Sequence, residues 1–278
     1  VLRTETADQG VMSRAVLRHI AGGNAVPDNI QIWIQILFLA EALDEPLAAQ
    51  ALSEKIASRF PEDSRAQLIG ASVLREKGDE LGALERVRKA STLQPQNNWV
   101  KQSVLSEFTQ LHAWSEAEKY LASGPQDENS WLMRGRLLLE AGQPEKIEKF
   151  LAELQKQYRQ PSQKVQLLSG QMAESLGRWT DAEHWYRGIE TGAERDRARL
   201  RLPVVLNKQG RLNDALAQLH SMQKDDAVDG EIVRDSYLVE SDLWAKRNDD
   251  AQAMKALQRG LAIFEADPLL LYGRAMQH

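Results

Sequence analysis

The stretch SRAQLIGASVLREKGDELGALERVRKASTLQP, Ser64–Pro95, decides the fold. Counting Ser64 as position 1, it sets Ala71 at 8, Gly78 at 15, Ala83 at 20 and Pro95 at 32. Small residues at 8 and 20 let two helices approach closely, and glycine at 15 accepts the left-handed conformation that ends the first of them. The spacing recurs outside the stretch. Ala15, Ala49, Ala83 and Ala117 stand 34 residues apart, and Pro27, Pro61 and Pro95 repeat the step. A period of this length marks a helix–turn–helix unit that cannot bury its apolar face alone and stacks on its neighbours.

Carrying the phase outward fills most of the same slots. The unit from Ile30 has Trp33 at 4, Ala49 at 20 and Pro61 at 32. The unit from Asn98 has Phe108, Trp114 and Ala117 but is shortened, because Gly124-Pro125 closes its second helix. Glu128 opens a unit with Trp131, Gly135 and Gly142, although Ile147 replaces the alanine at 20. Gln163 opens the most regular one, with Gly170, Gly177, Trp179, Ala182 and Tyr186. Gly210 and Ala215 mark a sixth; Asn248, Ala253 and Leu257 mark a seventh, after the polar connection Gln223–Gly230. These slots resemble the tetratricopeptide repeat, which implies an all-α, right-handed α-α superhelical solenoid over residues 1–278. The expected units are a partial repeat 1–29, repeats near 30–63, 64–97, 98–127, 128–162, 163–195, 196–233 and 234–267, and the opening helix of another at 268–278. Five tryptophans, Trp33, Trp114, Trp131, Trp179 and Trp244, fall on its packing slots.

Backward phasing puts Gly10 and Ala15 at positions 15 and 20 of a unit that would begin before Val1, and Asp267-Pro268 reads as the cap and first position of a last helix. The reading therefore expects a longer natural protein, with more repeats at least on the C-terminal side. No run reaches the roughly 18 apolar residues of a membrane span; the most apolar, Ile30–Ala42, is interrupted by Gln31, Gln35 and Glu41.

The chain has no cysteine, which excludes disulfides, thiolate zinc sites and cysteine nucleophiles. A net charge of -5 argues against nucleic acid or an anionic membrane surface as the main partner. His19, His112, His184, His220 and His278 show no ligand pairing on one helix face. Phosphate loops, nucleophile elbows and paired catalytic carboxylates are missing, so the reading assigns no enzyme, no catalytic residue, no metal and no cofactor. Arg195-Asp-Arg-Ala-Arg-Leu-Arg201 is either a solvated face balanced by Glu194 and Asp196 or a grip for an acidic partner or carboxyl terminus. Pro203, inside a first helix, is expected to bend that helix or delay its start.

In such a solenoid, first-helix positions 2, 5, 9 and 12 line the concave face. Position 5 reads Ile34, Leu68, Gln102, Leu132, Leu167, Leu200 and Leu238, with Phe38 and Trp99 adding to the stripe. Arg65, Ser72, Arg136, Gln171 and Asp242 supply polar groups. The partner-binding candidates are therefore Ile34, Phe38, Leu68, Trp99, Leu132, Arg136, Leu167, Gln171, Leu200 and Leu238. Two readings stand: the stripe holds an extended chain or partner helix, or tight winding buries position 5 against the next helix. The co-chaperone carboxylate clamp is absent, because its lysine and asparagine slots hold Ile34 and Phe38, then Leu68 and Ser72.

Leu-Gly-Arg-Trp179 with Trp185-Tyr-Arg, then Gln-Gly-Arg-Leu-Asn-Asp-Ala215, then Asp-Pro-Leu-Leu-Leu-Tyr-Gly-Arg-Ala-Met276 resemble the proteobacterial tetratricopeptide lipoproteins of the outer membrane. That resemblance implies a scaffold that holds a periplasmic carboxyl-terminal-processing protease and helps present cell-wall hydrolases to it. It implies a periplasmic, outer-membrane-anchored protein, with a cytoplasmic one as the alternative, and a lipid anchor outside this chain. The alternative function is a scaffold for envelope export or exopolysaccharide assembly, or a peptide-sensing solenoid.

Overall fold

Helix starts and stops in this chain are written in short polar caps and single left-handed residues, and the computed structural model shows both at work. It describes residues 14, 15, 17, 19, 20, 28–93 and 97–276. Gly10, Pro27, Pro95 and His278 lie outside them. Among the described residues there is no strand. The chain divides into two compact units, Val1–Pro125 and Gln126–His278. The first holds α1 (Ile30–Ala42), α2 (Pro46–Arg59), α3 (Ser64–Glu76), α4 (Glu80–Leu93), α5 (Asn98–Gln110) and α6 (Trp114–Ala122). The second holds α7 (Glu128–Ala141), α8 (Pro144–Gln157), α9 (Gln163–Ser175), α10 (Trp179–Arg187), α11 (Gly192–Lys208), α12 (Leu212–Met222), α13 (Gly230–Ala245), α14 (Asp250–Ile263) and α15 (Pro268–Met276).

Each odd helix from α1 to α13 pairs with the even helix after it, and each pair turns on one residue at position 15. Those residues are Asp44, Gly78, His112, Gly142, Gly177, Gly210 and Asn248, all with φ between 52° and 81°. Four are glycine, which pays no steric penalty there, while aspartate and asparagine tolerate the conformation through their short polar side chains. His112 has neither advantage, and its ring packs edge-on to Trp114 at 5.4 Å. In six of the seven turns the next residue's N–H reaches back to close the helix, as in Asp79 N to Leu74 O at 2.9 Å and Ala113 N to Phe108 O at 2.8 Å. First helices start differently. Asn29, Asp63, Asn97, Asp127, Ser162 and Asp229 each accept a hydrogen bond from a backbone N–H in the first turn, and Asp267 does the same for α15. Each such cap is worth about 1 kcal/mol.

Small residues set how closely the helices approach. Ala83, Ala117, Ala182, Ala215 and Ala253 are fully buried at position 20. A Cβ built on Gly170 would lie 2.4 Å from the Tyr186 ring, and one on Gly135 would lie 2.5 Å from Leu168 Cδ2. Trp33 and Trp131 are buried; Trp114, Trp179 and Trp244 are half-buried. In the second unit one apolar cluster runs without a break from Leu167 on α9 through Ala182, Leu202, Leu206 and Leu219 to Leu243 on α13.

Consecutive pairs are also stitched by polar contacts. In the first unit Arg75 Nε meets Glu107 at 3.2 Å and Arg88 Nη2 meets Glu116 at 2.7 Å. In the second unit Arg201 meets Glu174 at 3.0 Å, Arg211 meets Glu183 at 2.9 Å, and Arg178 meets Glu148. Glu240 is the one buried charged residue among those described, 3% exposed. Burial works to raise its carboxyl pKa, but Gln223 (2.9 Å), His220 (3.1 Å) and the Arg259 guanidinium outweigh burial and hold it below the usual range.

One expectation about α11 is corrected. The helix does not start late: it begins at Gly192, upstream of the expected 196, where Gly192 takes φ 74° after the short α10. It also continues through Pro203, which is buried. Proline cannot donate to the Arg199 carbonyl, a loss of up to about 3 kcal/mol that the surrounding apolar packing has to offset. Likewise α13 begins at Gly230 rather than 234, capped by Asp229.

Candidate partner-binding grooves

Because first helices stack side by side, their positions 2, 5, 6 and 9 share a face within each unit. In the first unit Gln31, Arg65 and Trp99 at position 2, Ile34 at 5, Ile69 at 6 and Phe38 at 9 line a pocket of about 260 Å³. Phe38 is 57% exposed and Trp99 48%. Arg65 is fixed in place: its guanidinium donates to Asp63 at 3.0 and 2.8 Å and to Gln31 Oε1 at 2.9 Å. Burial alone would raise the Asp63 carboxyl; hydrogen bonds from the Arg65 side chain and backbone N–H outweigh it and hold the group low. The rim is therefore aromatic, with a cation already neutralised. A wider pocket of about 650 Å³ adjoins it through Phe38 and Ile69 and is lined by Glu41, Asp44, Glu45 and Glu76, with Lys77 tied to Glu54.

In the second unit the same positions carry other chemistry. Asn129, Lys164 and Arg197 stand at position 2, Leu132 and Leu167 at 5, Met133 and Leu168 at 6, and Arg136 and Gln171 at 9, around a pocket of about 590 Å³. Arg136 and Gln171 also line an adjoining pocket of about 520 Å³ with Glu140, Glu174, Trp179 and Arg201. There Tyr186 donates to Glu174 at 2.7 Å and Arg201 donates to the same carboxylate at 3.0 Å. Burial, then the Glu174 charge, push the Tyr186 phenol well above its ordinary pKa, so it stays a donor.

The structure sorts the ten candidates. It brings Ile34, Phe38 and Trp99 into one pocket, and Leu132, Arg136, Leu167 and Gln171 into another. Ile34, Leu68, Leu132 and Leu167 are buried at 4–8% exposure, so the aliphatic stripe is mostly floor. Leu68 lines none of these pockets, nor do the half-buried Leu200 and Leu238. Leu238 lies against α15, where a Cβ on Gly273 would sit 3.4 Å from its Cδ2. Reading position 5 alone passes over Lys164, Arg197, Ile69, Met133 and Leu168. Positions 2 and 6 are the signal that finds them.

His184 stacks edge-on with Trp185 at 5.9 Å, and among the described residues no group of three His, Asp or Glu side chains is arranged to hold a metal ion. No helix among them is long and apolar enough to cross a membrane.

No protein-family model matches this chain, and no curated protein matches it in sequence. Among solved structures it is similar to a tetratricopeptide repeat protein from Parabacteroides merdae, with 10% identity, a TM-score of 0.52, and coverage of 89% of this chain and 98% of that one. It is also similar to a chain in the structure of Naa15/Naa10 bound to HypK-THB, with 12% identity and a TM-score of 0.52 over 95% of this chain. This chain spans 40% of that one. The fold is an all-α solenoid of the tetratricopeptide type.

Proposed function

We propose that this chain is a non-catalytic scaffold that holds other proteins against the first-helix faces of its repeats. One observation carries the reading: Phe38 and Trp99 stand about half exposed over a floor of packed aliphatics, an arrangement that supplies large apolar anchors at little cost in side-chain entropy. Neither residue is needed to close the core. The test is capture of partner proteins by wild-type chain and by F38S/W99S, beside thermal unfolding of both. Capture that survives the double substitution would remove the reading.

The finer proposal is a lipid-anchored periplasmic adaptor that holds a carboxyl-terminal-processing protease and helps present cell-wall hydrolases to it. The order of motifs in residues 163–278 supports it. Such an adaptor speeds cleavage by raising the local concentration of substrate, without an active site of its own. Proteolysis of a cell-wall hydrolase at the same rate with and without this chain would count against the adaptor while leaving the scaffold reading intact.

A further inference from the structure

We infer that the pocket of the second unit takes an acidic, extended segment of a partner protein; this rests on the scaffold reading and names what that groove recognises. Arg136, Lys164 and Arg197 line this one pocket, and among the described residues none of the three has an ion-pair or hydrogen-bond partner for its side chain. What sets them apart is that all three converge on one pocket. Most described arginines are ion-paired, including Arg195 and Arg199 with Asp196 and Arg201 with Glu174, all on the same helix as Arg197. In the run Arg195–Arg201 the structure thus neutralises three of the four arginines and leaves the one that faces the pocket. A single carboxylate, Glu194, lines the pocket beside the three cations.

Three exposed, unpaired cations around one pocket offer matched partners to carboxylates from outside. The floor of Leu132, Leu167 and Leu168, with Met133 48% exposed beside it, suits aliphatic side chains between those carboxylates. The Gln171 amide has no partner among the described residues and matches a peptide backbone. Neighbouring helix axes lie about 8–10 Å apart, and alternate side chains of an extended chain about 7 Å apart. A segment whose every second residue, acidic and aliphatic in turn, faces the pocket therefore presents both kinds of side chain to α7, α9 and α11.

The probe is a capped, fluorescein-labelled peptide with glutamate and leucine in turn at every second position and serine between them, read by anisotropy on the 278-residue chain. Its glutamine counterpart, and a glutamine peptide with a free carboxyl terminus, are the controls. The glutamate peptide should bind about tenfold more tightly than either control at low salt, and the margin should shrink as salt screens the charges. R136E, K164E and R197E should each weaken it about tenfold, and a lysine-for-glutamate peptide should bind the triple reversal. Since none of the three side chains has a partner in the fold, melting temperatures should stay put; should the triple reversal unfold, R136Q and R197Q alone carry the test. Equal binding of the glutamine peptide, preference for the free-carboxylate control, or indifference to the reversals would overturn the inference. If capture through Phe38 and Trp99 persists in that case, only this inference falls; if capture is absent too, the scaffold reading falls with it.

Discussion

Two pockets occupy equivalent places in the repeat, one in each unit, and share almost nothing in side-chain chemistry. Position 2 reads Gln31, Arg65 and Trp99 in the first and Asn129, Lys164 and Arg197 in the second; position 9 changes from Phe38 to Arg136. Position 5 stays aliphatic and buried in both, as Ile34 and Leu68 against Leu132 and Leu167. The difference shows how this fold divides its labour. At Ile34, Leu68, Leu132 and Leu167 position 5 is consumed by helix–helix packing, whereas positions 2 and 9 stand at the edge of that packing and can carry other chemistry without loss of the hairpin.

The comparison fails first if position 5 is not structural in both units. L68A and L167A should each cost about 2–5 kcal/mol through the cavity left behind, read by chemical denaturation; a cost in one unit only would break the symmetry. Next come A83L and A182L, which overpack the same slot in the two units and should each cost about 1–3 kcal/mol, a smaller spread that the same denaturation curves resolve.

The units should also part in acid, because the buried carboxylate Glu240 belongs to the second. Its folded pKa lies below the unfolded value near 4.5, so the stability it contributes is complete above that value and is lost as pH falls through the folded pKa. E240Q should lower stability by about 1–3 kcal/mol at neutral pH and flatten the acid limb, with hydrogen exchange showing the change in Gln126–His278 before Val1–Pro125. An unchanged acid limb would mean that other carboxylates govern it. The smallest effects are expected at the rims. W99S and R136Q should each move stability by less than about 0.5 kcal/mol, while W99S weakens capture and R136Q weakens the acidic peptide; a stability loss as large as that of L167A would make the rim part of the core.

Much of the fold was legible because backbone geometry constrains it locally. Gly78, Gly142, Gly177 and Gly210 announce a left-handed turn by residue type, whereas Asp44, His112 and Asn248 take the same conformation without a glycine to announce it. The start of α11 was not legible, because a glycine following a short second helix can restart a helix early, and only packing decides that it does. The groove was legible in part. Spacing names the face, and Phe38, Trp99, Arg136 and Gln171, read from it, line two pockets in the structure. Whether Leu132 is wall or floor depends on how tightly successive pairs wind, a collective result of many contacts that no single position encodes. The unpaired state of Arg197 was hidden for a similar reason: a run of four arginines reads as one charged face until the partners of the other three are seen.

The polar stitching between consecutive pairs has a mechanical consequence. Exposed ion pairs such as Arg88–Glu116 and Arg211–Glu183 are individually worth about 0–1 kcal/mol and are screened by salt, so they contribute little to whether a unit is folded. They span the joints between pairs, however, and resist sliding of one pair on the next. Part of each unit's resistance to that sliding should therefore soften as ionic strength rises, while the apolar seams across the joints and the melting point hardly change.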